Sequence, residues 1–131
     1  MAAVLLDTTV LIDVLRGRAE AVHRLRALRG SRDEACACAI NVEETARGLR
    51  PSEHPAACAL FAGVPIVPLG EPEGWRAGGW RAEHARHGRT LSQADCLIAA
   101  AALSIGARLA TGNPRHFPMA ELIVEHWPAG V

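Results

Sequence analysis

Hydrophobic positions fall in short runs separated by longer stretches of helical spacing. Ala3 to Leu6 is an apolar run that ends at Asp7, and it reads as a short buried strand. Thr9 to Arg16 follows as a short helix that Gly17 stops. Ala19 to Leu28 is a clearer amphipathic helix: Val22, Leu25 and Leu28 recur at helical spacing, with Arg24, Arg26 and Arg29 between them. Gly30 and Ser31 break it, and Glu34 to Ala39 is a second strand. Asn41 to Leu49 and Pro55 to Ala62 read as helices on either side of a turn at Pro51. Ile66 to Leu69, hemmed by prolines, is an edge strand or a loop. Glu71 to His87 is helical in composition, but Gly78 and Gly79 weaken it by roughly 1 kcal/mol each. Ser92 to Ile105 is the strongest helix, and Arg108 to Thr111 and Leu122 to Val124 are further strands.

Short apolar strands alternating with helices predict an α/β fold, with a central, mostly parallel sheet flanked by helices. The 131 residues are one domain's worth of chain, so a single domain over 1–131 is expected. Half the residues are hydrophobic and 21% are charged, which excludes a disordered chain. All fourteen basic residues are Arg, and fourteen acids balance them. A neutral chain has no overall field drawing it to nucleic acid, so any such site is a local patch. No stretch reaches the roughly twenty apolar residues of a membrane span, and Asp7 and Asp13 interrupt the apolar start, so no signal peptide is read. The expectation is a cytoplasmic protein whose Cys36, Cys38, Cys58 and Cys96 are reduced thiols. Cys36 and Cys38 lie two apart, on one face of a strand, and read as core rather than as zinc ligands.

In parallel sheets the working residues collect at the carboxyl ends of strands. Asp7 closes the first strand, Glu44 lies in the first turn of the helix after the second, Asp95 in the first turn of the strongest helix, and Asn113 follows Thr111. Each acid also has an ordinary explanation. Asn41 to Glu44 fits a capping box, Ser92 to Asp95 resembles one, and Asp7 suits a helix cap. As one cluster, the carboxylates repel unless a cation sits among them. Mg²⁺ and Mn²⁺ prefer such oxygen ligands. A metal so held activates water and clamps a phosphate oxygen, which is the chemistry of phosphodiester hydrolysis. The chain carries no P-loop, nucleophile elbow or paired metal-binding His motif.

Four segments, in order, carry a resemblance. Leu5-Leu6-Asp7-Thr8-Thr9-Val10-Leu11-Ile12-Asp13 is similar to the opening of PIN-domain proteins. Ile40-Asn41-Val42-Glu43-Glu44, with Gly48-Leu49, resembles their second motif. Leu91-Ser92-Gln93-Ala94-Asp95, with Ile98-Ala99-Ala100, resembles the third, and Thr111-Gly112-Asn113-Pro114-Arg115-His116-Phe117 the closing one. The set covers nearly the whole chain, and with its length resembles VapC-type toxins of toxin–antitoxin pairs. The resemblance implies a metal-dependent endoribonuclease acting on a structured cellular RNA, with Mg²⁺ as cofactor and Mn²⁺ able to substitute. It implies a cognate antitoxin in the active-site groove, usually a homodimer, and a hetero-oligomer with the antitoxin. By motif position, Asp7, Glu44 and Asp95 are the metal ligands; Glu44 matches rather than Glu43 because it lies four residues before Gly48. Asn113 completes the catalytic set, standing where many relatives carry a fourth acid.

Thr9 and Thr111 carry hydroxyls beside the expected site, suited to orient a carboxylate or else to form local turns. Asp13 is expected to pair with an Arg. Arg115 and His116 are candidate substrate contacts, Arg115 for phosphate and His116 for proton transfer. Arg76, Arg81, Arg86 and Arg89, with Trp75 and Trp80, suit RNA, an antitoxin, or a solvated helix anchored by tryptophan. A haloacid-dehalogenase-like phosphatase is a poor alternative, because Thr9 stands where that family wants a second acid and the chain has no Lys. The stronger alternative is a PIN-fold binding module with weak or absent catalysis, acting through its antitoxin or RNA.

Overall fold

The computed structural model describes residues 2–128; residues 1 and 129–131 of the expected domain lie outside the described residues. Five strands form one sheet: β1 (Ala3–Leu6), β2 (Glu34–Cys38), β3 (Ile66–Val67), β4 (Arg108–Thr111) and β5 (Val124–His126). Their spatial order is β3-β2-β1-β4-β5, and every pairing is parallel. The helices are α1 (Thr8–Leu15), α2 (Ala19–Arg29), α3 (Ala39–Gly48), α4 (His54–Ala62), α5 (Glu71–Arg86) and α6 (Gln93–Ser104). None is long and apolar enough to cross a membrane.

The strands alternate their side chains between two buried layers. Val4, Leu6, Ala35, Ala37 and Ala110 pack with Val10 and Leu11 of α1 and Leu25 and Leu28 of α2. Leu5, Cys36, Cys38 and Leu109 pack with Ala77 and Trp80 of α5 and the Ile98–Ala102 run of α6. Cys36 and Cys38 thus share one face as expected, and all four cysteines are free. Burial pushes the Cys36 thiol up to about 11, so it stays protonated. Ala99, Ala100, Ala101 and Ala102 give α6 small residues on every side, which suits a helix pressed between the sheet and α5.

Three expectations shift. β5 begins at Val124 rather than Leu122: Leu122 is buried among α5 and α6 residues, and the ladder starts where Leu109 pairs with Val124. The edge run at Ile66 pairs over two residues only, leaving Pro68 and Leu69 outside the strand. α3 begins two residues early, so Asn41 is not its cap. Asn41 sits in the first turn, and its Oδ1 accepts from the Cys38 N–H at 2.8 Å. α5 forms in full despite Gly78 and Gly79, held by buried Ala77 and Trp80.

Candidate active site

Asp7 is the last rung of the central strand pairing. Its N–H donates to the Ala110 carbonyl at 2.8 Å, which sets its side chain at the carboxyl end of β1 beside the end of β4. It stands at the cap position of α1, yet makes no cap hydrogen bond. Instead its Oδ2 accepts from Thr111 Oγ1 at 2.7 Å and from Thr9 Oγ1 at 3.1 Å. Each of those hydroxyls is itself oriented by an amide. The Gly112 N–H donates to Thr9 Oγ1 and the Asn113 N–H to Thr111 Oγ1, both at 3.0 Å. With a lone pair engaged, each hydroxyl turns its single proton to Asp7. Gly112 permits this closeness: a Cβ there would stand 3.3 Å from Thr9 Oγ1.

Glu44 is held in the same way. Its Oε1 accepts from Thr8 Oγ1 at 2.7 Å, and that oxygen accepts from Asn41 Nδ2 at 3.1 Å. Asn41 is fully buried, so a chain of bonds runs from the Cys38 amide through Asn41 and Thr8 to the carboxylate. Asp95 enters from α6. Ser92 Oγ accepts from the Asp95 N–H at 3.0 Å, as the expected cap does, while the Asp95 carboxylate reaches not backward but toward His116 Nδ1, at 3.6 Å.

These residues share one open cleft of about 410 Å³, lined by Asp7, Thr8, Thr9, Glu44, Asp95 and Asn113, with Arg47, Ser92 and His116 also at its wall. Burial raises the Asp7 carboxyl above its ordinary value, the bonds from Thr111 and Thr9 oppose this, and the Asp95 charge adds to the rise. None of the three acids pairs with an arginine among the described residues. Nor is any group of three His, Cys, Asp or Glu side chains among the described residues gathered tightly enough to hold a metal ion. The acids line the cleft rather than meet in it. Their oxygen donors suit a hard divalent cation, and the cost of burying the Asp7 charge, with the smaller repulsion from Asp95, is what such a cation would relieve.

Of the residues singled out in the sequence, Asp7, Thr9, Glu44, Asp95, Asn113 and His116 line the cleft, and Thr111 holds Asp7 from beneath it. Arg115 is exposed in the turn Pro114–His116 and is not among the lining residues. Asp13 is buried and pairs with Arg18 at 3.2 Å, as expected. Trp80 is core, bonded to Glu121 at 3.2 Å with the Arg76 guanidinium 5.8 Å over its ring, whereas Trp75 is exposed. Sequence reasoning missed Thr8, the bridging role of Asn41, and Arg47 at the wall. Thr8 was open to discovery as a second hydroxyl directly after Asp7. Arg47 was open to discovery one helical turn beyond Glu44.

A model of the PIN domain matches residues 4–122. Ribonuclease VapC19 of Mycobacterium tuberculosis is 38% identical over 116 residues, spanning 88% of this chain and 92% of the relative. Among solved structures, VapBC2 from Rickettsia felis, bound to a DNA fragment from its promoter, superposes with a TM-score of 0.81 at 20% identity, over 95% of this chain and 98% of that one, a likeness of fold. DNA-bound VapBC from Salmonella typhimurium superposes with a TM-score of 0.80 at 25% identity, over 97% and 99%. The strand order, the acids at the carboxyl ends of the strands and these matches agree: the chain belongs to the PIN-domain family and, within it, to the VapC ribonucleases.

Proposed function

We propose that the protein is a metal-dependent endoribonuclease acting in the cytoplasm as the toxin of a toxin–antitoxin pair. The observation that carries this reading is one cleft walled by Asp7, Glu44 and Asp95 with no arginine paired to any of them among the described residues. Those three residues would hold Mg²⁺, or Mn²⁺ in its place. A bound divalent ion supplies Lewis acidity, which makes water a nucleophile at neutral pH and draws charge from a phosphate oxygen.

The chain's own residues supply position. Thr9 and Thr111 fix Asp7, and Thr8 with Asn41 fixes Glu44, so both carboxylates keep their direction without a substrate. Asn113, Arg47 and His116 flank the scissile phosphate as donors, and Arg115 takes a phosphate further along the strand. Water attacks phosphorus and releases a proton to solvent as its O–P bond forms, the P–O bond to the leaving oxygen breaks, and that oxygen takes up a proton. His116, beside Asp95, is the group placed to give it. The partners are an RNA, a cognate antitoxin covering the cleft, and a second copy of the chain.

The test is cleavage of RNA by antitoxin-free protein in Mg²⁺ or Mn²⁺ against EDTA, beside an Asp7→Ala control. Cleavage that needs the metal and disappears in the variant supports the reading. Protein that neither cuts RNA nor binds Mn²⁺ would instead be a module acting by binding its antitoxin or RNA. Asn113, in place of an acid, and the open spacing of the acids favour that second reading.

A further inference from the structure

Positive charge is spread unevenly along the chain. Residues 16–32 carry six of the fourteen Arg and a single acid, Glu20, while the rest of the chain carries eight Arg against thirteen acids. Glu20 is taken by Arg24, at 3.2 Å, and Arg18 by Asp13, at 3.2 Å. Arg16, Arg26, Arg29 and Arg32 are exposed and make no ion pair among the described residues. A chain with no net charge therefore holds one strongly positive patch, on and around α2.

The inner side of α2 buries Ala21, Leu25 and Leu28, and His23, Arg26 and Arg29 stand exposed on the outside. The helix dipole favours Arg26 and Arg29 in the last turn, but it does not call for Arg32 beyond it. Arg26 and Arg29 lie three residues apart on one helix, so their charges repel. What the patch can bind follows from what it lacks. No large apolar side chain of residues 16–32 is exposed. A protein partner is held largely by buried aromatic or aliphatic anchors, and this face offers none. A polyanion needs only charge, and a guanidinium grips phosphate through two parallel hydrogen bonds.

The patch also begins close to the cleft. Ile12 lines the cleft, and Arg16 caps α1 four residues later, a rise of about 6 Å. The eleven residues of α2 then spread the charge over about 16 Å. In the middle of that helix, Arg24 donates to the His126 carbonyl at 3.3 Å. His126 pairs with Thr111 at the carboxyl ends of β5 and β4, so α2 lies against the side of the sheet that bears the cleft. We propose that the exposed face of α2, with Arg26, Arg29 and Arg32 as its centre, is a second RNA site that holds the phosphate backbone of a folded RNA while another part of that RNA lies in the cleft. The inference rests on the preceding reading for the identity of the polyanion and adds where, away from the scissile phosphate, the RNA is gripped.

The experiment is fluorescence anisotropy of the full chain in EDTA, with a labelled RNA hairpin of about 30 nucleotides as the probe, over a series of salt concentrations. Binding is read without cleavage, so a protein that fails to cut RNA can still pass this test. Arg26→Gln, Arg29→Gln and Arg32→Gln, made together, should raise the hairpin dissociation constant by about 10-fold or more. They should also flatten the dependence of log affinity on log salt by about 2–3. Gln and Arg have similar helix propensity, so the loss cannot come from a broken helix, and circular dichroism checks this. The same change of charge on α5, Arg76→Gln with Arg81→Gln and Arg86→Gln, should move the constant by no more than about 2-fold if the site is local. When Mg²⁺ is restored, the α2 variant should cut the hairpin with a raised KM and an unchanged kcat. An equal loss from the α5 variant makes overall charge the cause and overturns the proposal. So does a natural chain that does not bind the hairpin, or a fall in kcat rather than a rise in KM. Unchanged hairpin binding in the α2 variant, with loss of its antitoxin, gives the face to that protein and overturns the proposal as well.

Discussion

Opposite ends of the same strands treat their acids in opposite ways. Beside the amino ends of β2 and β4, Arg108 reaches Asp33 at 3.2 Å and Glu125 at 2.7 Å. The Arg108 hydrogen bond holds the Asp33 carboxyl below its ordinary value. Burial works to raise Glu125, but hydrogen bonds from Trp127 and Arg108 outweigh it and leave that carboxyl low as well. At the carboxyl ends, Asp7 is buried with hydroxyls for company and, among the described residues, no paired guanidinium, and burial carries its carboxyl upward. An acid cluster matched by arginine is complete in itself. An unmatched one holds repulsion in the folded state, which only a proton or a cation can relieve.

The largest expected break in this contrast is Asp7→Asn. If the unmatched cluster is the catalytic one, RNA cleavage should fall at least about 10²-fold, measured as initial rates in Mg²⁺. The metal-free variant should nonetheless melt higher than the natural protein, and a lower melting temperature would count against a cost stored in the buried Asp7 charge. Arg108→Met should do the reverse. It should lower the midpoint of chemical denaturation and leave cleavage per folded molecule unchanged.

Acid titration separates the two ends by sign. A raised carboxyl penalises the fold once pH climbs above the ordinary aspartate range and costs nothing below it. The Asp7→Asn gain should therefore be present at pH 7 and vanish on acidification. Lowered carboxyls stabilise the fold above the ordinary range and lose that as pH falls through their folded values. The Arg108→Met loss should also vanish in acid, from the opposite side. Unfolding midpoints of the three proteins at a series of pH values test both.

Smaller effects probe how the carboxylates are held. Thr8→Val removes the proton donated to Glu44 and leaves Asn41 Nδ2 buried without an acceptor. Stability should drop by about 1–2 kcal/mol, and cleavage by about 10-fold in kcat rather than KM. Asn113→Asp restores a fourth acid to the cleft. It should tighten Mn²⁺ binding, read by calorimetry, by about 3- to 10-fold, and unchanged binding would place residue 113 outside the metal's reach.

Much of this was legible in the chain itself. Strands as short as Ala3–Leu6 and Arg108–Thr111 end where polar residues begin, so their carboxyl ends, and with them Asp7 and Thr111, could be located by pattern. Asn41 was misread because its side chain supports the start of α3 from inside the first turn, the inverse of the cap that its residue type suggests. Thr8 and Thr9 look alike in sequence, and only the opening turn of α1 sends one hydroxyl to Glu44 and the other to Asp7. Trp75 and Trp80 likewise part company through helical rotation, one to solvent and one to the core. The two rims of the cleft belong to different elements, so the choice between Arg47 and Arg115 at its wall depends on tertiary packing that no local pattern records.

The bond from Thr111 to Asp7 joins residues 104 positions apart. A ribosome making this chain releases Asp7 well before Thr111. Until β4 has emerged and slid in beside β1, the Asp7 carboxylate lacks the hydroxyl that aims it, and the cleft lacks Asn113 and His116 altogether. Whatever the cleft does to other molecules, a half-made chain cannot do it while still tethered to the machinery that is making it.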